Sequence, residues 1–158
     1  MKLTKLNNLQ KTVLVIAGSD PSGGAGIQAD LKTLTSFGVY GMTAITALTE
    51  QNSNGVFDIL EIPIDFVVKQ INCCLSDINA NAVKIGMLHS ADLISAVLEA
   101  LFNNNIVSNK KVNIVLDPVM VAKGGHKLLK ENAIDALKNF IKVAQPILTP
   151  NIPEAEIL

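Results

Sequence analysis

The sequence predicts an α/β fold: a three-layer α/β/α arrangement built on a mostly parallel sheet. Three observations predict it. Short apolar runs alternate along the chain with longer stretches of helical period, the pattern of βαβ units joined by right-handed crossovers. The composition is 49% apolar and only 17% charged, against about 25% charged in an average soluble domain, as strands buried on both faces require. Glycine-rich and polar residues fall just after the apolar runs, and the carboxyl ends of strands in an open parallel sheet are where ligands bind.

Residues 13–17 read as a buried strand, followed by a glycine-rich loop and a helix over about 25–37. Residues 42–48 form a second strand. Residues 66–78 carry apolar side chains at Phe66, Val67, Ile71, Cys74, Leu75 and Ile78, a helical period. A third strand over 82–85 precedes a helix over 93–102, whose polar end is Asn103-Asn104-Asn105. A fourth strand over 112–116, a helix over 134–143 and a fifth strand over 147–149 complete the alternation. No internal repeat, low-complexity tract or linker interrupts it, so residues 1–158 belong to a single domain. Asn151-Ile152-Pro153-Glu154 has the form of a helix start, with Asn as N-cap, Pro in the first turn and Glu at the capping-box position. The sequence stops one turn later, at Leu158. Isolated helices under about 12 residues are marginal, so the chain reads as the amino-terminal part of its domain, cut short.

Charge and composition exclude several classes. The net charge is −1, and all 13 basic residues are Lys, so no bidentate arginine clamp exists. With no basic stripe and almost no aromatic platform, nucleic acid is not an expected partner. No window approaches the roughly 20 uninterrupted apolar residues of a membrane span. Residues 1–11 are polar and lack the apolar core of a secretion signal; the expected location is cytoplasmic. Cys73 and Cys74 are adjacent in a helical stretch, which makes neither a metal clip nor a bridge and reads as buried packing in a reducing compartment.

The chemistry collects at five strand ends. After the first strand comes Gly18-Ser19-Asp20-Pro21-Ser22-Gly23-Gly24-Ala25-Gly26, and after the second Glu50-Gln51-Asn52. Gly86-Met87 follows the third, Asp117-Pro118-Val119-Met120 the fourth, and Pro150-Asn151 with Glu154 the fifth. The glycine loop fails as a P-loop, because Gly24-Ala25 stand where Lys-Ser/Thr belongs. Gly24-Ala25-Gly26-Ile27-Gln28-Ala29 matches a Rossmann-type nicotinamide-dinucleotide fingerprint, with Glu50 at about the right distance, but the turn lies too far from the strand. The favoured reading is a broad loop that lets a small molecule approach backbone amides at a helix start. Asp30 lies about two turns into that helix; taken alone it is an acid favoured by the helix dipole. Gln51 can read a heterocycle with its paired donor and acceptor, or simply cap the strand. Asp117 tips a buried strand, where an acid is costly without a partner or cation. Together with Asn151 and Glu154 it makes an oxygen-rich patch suited to Mg²⁺ and its waters. Capping is the plain reading of the latter two. Met87 and Val119 carry no weight by themselves, and His89 and His126 have no spaced partners for a metal.

The segment Val13-Leu-Val-Ile-Ala-Gly-Ser-Asp-Pro-Ser-Gly-Gly-Ala-Gly-Ile-Gln-Ala-Asp30 resembles the opening of hydroxymethylpyrimidine/phosphomethylpyrimidine kinases, thiamine-pathway members of the ribokinase-like superfamily. The similarity continues through Thr46-Ala-Leu-Thr-Glu-Gln51-Asn, Lys84-Ile-Gly-Met87-Leu, Val115-Leu-Asp117-Pro-Val-Met120 and Leu148-Thr-Pro-Asn151-Ile-Pro-Glu154. It implies a ribokinase-like fold and ATP-dependent phosphorylation of 4-amino-5-hydroxymethyl-2-methylpyrimidine and then of its monophosphate. It also implies that Asp30, Gln51, Met87 and Val119 surround the pyrimidine, with Gly18 beneath it. Asp117, Asn151 and Glu154 would face the phosphates and Mg²⁺, and Lys123-Gly124-Gly125 would belong to a covering loop, where the family more often has Lys-Ser-Gly. The family's Gly-Thr-Gly-Cys anion-hole loop, with its catalytic base, has no counterpart in these 158 residues. The expectation is therefore a chain that holds no catalytic base, has no useful kinase activity by itself, and forms a homodimer or otherwise self-associates. Two alternatives stay open: an inactive pyrimidine-binding fragment and a Rossmann dinucleotide-binding fragment.

Overall fold

The computed structural model describes residues 10–120 and 133–158. Strand β1 (Thr12–Ser19) buries Leu14, Val15, Ile16 and Ala17 in succession. A run buried on both faces belongs at the centre of a sheet covered on both sides. It pairs in parallel with β2 (Tyr40–Asn52) on one side and with β4 (Ala82–Ile85) on the other. β5 (Asn113–Leu116) and β6 (Ile147–Leu148) continue in parallel beyond β4, and β3 (Gly55–Glu61) lies antiparallel outside β2. The order is β3-β2-β1-β4-β5-β6.

Helices occupy both faces of this sheet. On one, α1 (Gly26–Ser36) packs Ile27 and Leu34 with Val13, Val15, Ala17 and Ile45. On the other, α2 (Ile64–Asp77), α3 (Ala91–Asn103) and α4 (Ile134–Ala144) pack over Leu14, Ile16, Val83, Ile85 and Leu116. A short α5 (Ile152–Ile157) follows β6. The three-layer α/β architecture expected from the sequence is the one observed. β4 matches its expected residues, and the four long helices agree to within about two residues at each end.

Two expectations are corrected. The second strand runs on through Asn52, so Glu50, Gln51 and Asn52 lie within it rather than after it. They are held there by β3, an element the sequence reading left out. Asp58 breaks the apolar run of β3, but the turn signal is present: Asn54-Gly55 closes a short hairpin, with Asn52 Oδ1 accepting from Asn54 N at 2.8 Å. The cysteines are likewise not both buried packing: Cys74 packs against the core, but only partly buried. Cys73 is exposed and Cys74 half-buried on α2, whose buried positions are Val67 and Ile71.

The connectivity places a site. From β1 the chain moves outward to β2 and β3, then returns through α2 to β4 on the opposite flank of β1. The order reverses between β1 and β4, and in such sheets ligands bind outside the carboxyl ends of the strands at that reversal.

The same packing yields a paired stability test on α3. Leu101 is fully buried, whereas its neighbour Phe102 is 56% exposed. Leu101→Ala is expected to lower stability by about 2–5 kcal/mol, and Phe102→Ala by no more than about 0.5 kcal/mol. Urea denaturation midpoints of the two variants measure the difference.

Candidate active site

The glycine-rich loop after β1 is organised by one side chain. Asp20 is only 2% exposed, and its carboxylate accepts four hydrogen bonds. Ser22 N and Ser22 Oγ donate to Oδ1 at 2.8 and 2.7 Å, and Gly24 N and Ala25 N donate to Oδ2 at 3.0 and 2.8 Å. Burial works against the charge, but the donors from Ser22, Ala25 and Gly24 outweigh it and hold the carboxyl below its ordinary value. Gln28 closes the loop from α1: its Oε1 accepts from Asp20 N at 2.8 Å and its Nε2 donates to Ser19 Oγ at 2.7 Å. Gly26 has φ of 57°, and a Cβ there would lie 2.5 Å from the carbonyl oxygen of Gly18. Only glycine fits that approach.

This arrangement corrects the expected use of the loop. The amides of Ser22, Gly24 and Ala25 face the protein's own carboxylate, so they are not offered to a ligand. The dinucleotide reading weakens for the same reason, since a pyrophosphate needs those amides. Glu50, its proposed ribose partner, is exposed on the outer hairpin.

The ends of β1, β2, β4 and β5 enclose a cavity of about 360 Å³. Gly18, Asp30, Gln51, Met87 and Val119 all line it, although they come from five separate stretches of sequence. Asp117 stands in the same wall. Gly18 lies directly against Met87, since a Cβ at Gly18 would come within 2.8 Å of Met87 Cε. Thr49, two residues before Gln51 and on the same face of β2, places Oγ1 2.8 Å from the Ser19 carbonyl oxygen and 3.1 Å from the Gln51 carboxamide.

Sequence reasoning missed Lys84 as a site residue. Among the described residues it is the only basic one lining the cavity, and its ammonium lies 2.9 Å from Asp30 Oδ2, with both side chains largely buried. A lysine in the middle of a four-residue apolar strand was the available signal. Gly86 makes room for it: a Cβ there would sit 3.1 Å from Lys84 Nζ and 3.0 Å from Ala17 Cβ. Burial pushes the Asp117 carboxyl up; Lys84 pulls against that, while Glu154 and Asp30 add to it.

Asn151 and Glu154 do not line this cavity. They form a complete capping box at the start of α5: Asn151 Oδ1 accepts from Glu154 N at 2.9 Å, and Glu154 Oε2 from Asn151 N at 3.0 Å. The second oxygen, Oε1, lies 3.4 Å from Met120 N, so a buried Glu154 ties the segment after β5 to the start of α5. Among the described residues no three His, Cys, Asp or Glu side chains gather as a protein-only metal site would require. Magnesium needs no such cage, because it is held by one or two carboxylates with waters and substrate phosphates; Asp117 fits that role. Lys123, Gly124, Gly125 and His126 lie outside the described residues. His89 is buried, with Nδ1 3.3 Å from Glu61 Oε1 at the end of β3.

A family model described as phosphomethylpyrimidine kinase matches residues 20–158. The chain belongs to the phosphomethylpyrimidine kinase family. It is 48% identical over 148 residues to the hydroxymethylpyrimidine/phosphomethylpyrimidine kinase of Haemophilus influenzae, covering 94% of this chain and 53% of that one. The enzyme of the same description from Escherichia coli is 46% identical over 145 residues, again 53% of its length. The chain thus spans about half the length of these curated relatives. Among solved structures, the phosphomethylpyrimidine kinase of Clostridium difficile 630 superimposes with a TM-score of 0.82 at 46% identity, covering 94% of this chain and 62% of that one. The pyridoxal kinase of Staphylococcus aureus in complex with pyridoxal gives 0.80 at 36% identity, covering 96% and 52%. The fold is therefore the ribokinase-like one that the sequence suggested.

The buried Asp20 gives a pH-dependent prediction. Its folded value is depressed, so its contribution is present above the unfolded value of 3.8 and is lost as pH falls through the folded one. Asp20→Asn is expected to cost about 1–3 kcal/mol at neutral pH, shrinking towards nothing in strong acid. Urea unfolding of both proteins at pH 7 and pH 3 measures the change.

Proposed function

We propose that this protein serves the ATP-dependent phosphorylation of 4-amino-5-hydroxymethyl-2-methylpyrimidine, and of its monophosphate, in cytoplasmic thiamine biosynthesis. These residues supply the pyrimidine pocket. The observation that carries the reading is the convergence of Gly18, Asp30, Gln51, Met87 and Val119 on one cavity at the topological switch point, with Asp117 in its wall. Met87 and Val119 offer apolar contact to a flat ring, while Gln51 and Asp30 offer polar atoms that fix its orientation.

In this reading Asp117 meets the Mg²⁺ that accompanies the ATP phosphates, and the metal supplies neutralisation of phosphate charge. Glu154 acts through structure, holding Met120 N and the α5 start behind Asp117. Lys84 steadies Asp30 and sets a cation against the acidic wall. Phosphoryl transfer depends mostly on positioning and electrostatics, and none of these residues is assigned as the base. The exposed Phe57 and Leu60 on edge strand β3 support self-association through that edge.

Two measurements test the proposal. Gln51→Ala is expected to weaken pyrimidine binding in calorimetry by about 1–3 kcal/mol; an unchanged dissociation constant removes Gln51 from the pocket. Asp117→Asn is expected to lower turnover, followed by mass detection of the phosphorylated product, more than it lowers pyrimidine affinity. Equal losses in both would return Asp117 to a structural role. A protein that binds the pyrimidine but never phosphorylates it would be a binding module instead.

A further inference from the structure

The contacts of Thr49 decide which end of the Gln51 carboxamide meets a ligand. Thr49 Oγ1 is 2.8 Å from the Ser19 carbonyl oxygen, and the nearer end of the Gln51 carboxamide, with Oε1 as the assigned atom, is 3.1 Å away. A hydroxyl carries one hydrogen, and a carbonyl can only accept. Two oxygens 2.8 Å apart need that hydrogen between them, so Thr49 gives it to Ser19. What Thr49 then presents to Gln51 is a lone pair. The two ends of a carboxamide have the same shape, and hydrogen bonding decides which faces which neighbour. Facing a lone pair, the stable end is the amino group: Gln51 Nε2 donates to Thr49, and Oε1 is the end turned away.

We propose that Thr49 is a positioning residue that holds the Gln51 carboxamide with its oxygen towards the ligand, making the pocket selective for a ring that carries an N–H donor. The inference rests on the pyrimidine-pocket reading above and deepens it. An exocyclic amino group on the ring is such a donor; an ether oxygen at the same place is not, and would meet Oε1 as a second acceptor. The rest of the wall agrees in sign. Asp30 and Asp117 are acceptors lining the same cavity, and the Lys84 ammonium, the one there among the described residues, is engaged with Asp30.

The test is a discrimination ratio. Calorimetry on the unmodified full chain compares 4-amino-5-hydroxymethyl-2-methylpyrimidine with the analogue bearing methoxy in place of the amino group. The amino compound is expected to bind at least about 10-fold more tightly, the usual penalty when a polar site meets the wrong partner. Equal or reversed affinities would overturn the assignment, because a carboxamide presenting Nε2 favours the acceptor. Thr49→Val keeps the side-chain shape and removes the hydroxyl, which frees the amide to turn. It is expected to weaken the amino compound by about 3- to 10-fold, to leave the methoxy compound within about 2-fold, and so to narrow the ratio. Thr49→Ser is expected to restore it. A Thr49→Val protein that loses both ligands in equal proportion, or neither, would reduce Thr49 to a structural residue and overturn the proposal while leaving the pocket intact. Should the unmodified chain bind neither compound, the pyrimidine reading itself fails, and this inference with it.

Discussion

The carboxylate of Asp20 is the point on which the site depends. An ionised acid with 2% of its surface exposed persists only where its charge is met by donors. Here three backbone amides and a hydroxyl meet it, and charge-assisted bonds of this kind are the strong ones. Their effect reaches beyond the loop. Helix α1 has no side-chain cap at Ala25, and the bond from Ala25 N to Asp20 does that work instead. Among the described residues α1 supplies the helical cover for the Val15–Ala17 face of the sheet, and its start and first turns carry Ala25, Gly26, Ala29 and Asp30 into the cavity wall. Loop closure, helix seating and one side of the pocket are thus a single event. Its steric condition is glycine at position 26, where the helix start runs against the Gly18 carbonyl.

The opposite wall depends on strand length. β2 has 13 residues where β1 has 8, and the excess stands beyond the end of β1. A strand end without a partner leaves its amides and carbonyls unpaired and frays. The antiparallel β3 supplies that partner, pairing Thr49 with Ile59 and Gln51 with Val56. The contact of His89 with Glu61 fastens the base of this hairpin to the segment between β4 and α3. Thr49 and Gln51 therefore sit on a supported ledge at the cavity, and the Gln51 carboxamide is held by an element that lies outside the parallel core.

What was legible in the sequence follows from these constraints. The central strands are buried on both faces, so their apolar runs stood out, and β4 was found residue for residue. Gly18, Asp30, Gln51, Met87 and Val119 were named from motif resemblance, and the fold brings all five to one cavity. β3 was not found because an edge strand need bury only part of its surface. Its apolar run is broken at Asp58, and only the Asn54-Gly55 turn announced it. Lys84 and Thr49 were missed for a different reason. Their roles exist only in pairs, with Asp30 across 54 residues and with the Ser19 carbonyl across 30, and no local pattern encodes such distances. Cys73 failed through periodicity: Val67 and Ile71 set the buried stripe of α2, Cys74 continues it against the core, and Cys73 falls off it.

Glu154 shows how a residue read as both helix cap and phosphate-side acid is placed by its hydrogen bonds. The sequence offered two roles for it, helix cap and phosphate-side acid, and treated them as compatible. Both of its oxygens face backbone amides, Oε2 towards Asn151 N and Oε1 towards Met120 N, and its side chain is buried. A carboxylate so placed is poorly disposed to enter a metal's first shell, since each amide it abandons would be left without a partner. It remains close enough to Asp117 for its charge to help raise that carboxyl. The capping box therefore does two things for the neighbouring acid: it fixes the backbone that follows β5 and adds negative potential at the strand tip. The chain has no arginine, and among the described residues Lys84 is the only basic one in the cavity wall to oppose that potential. In the proposed reading, a strand tip of this character would attract a divalent cation rather than a bare phosphate, and the phosphate would arrive with the cation it brings.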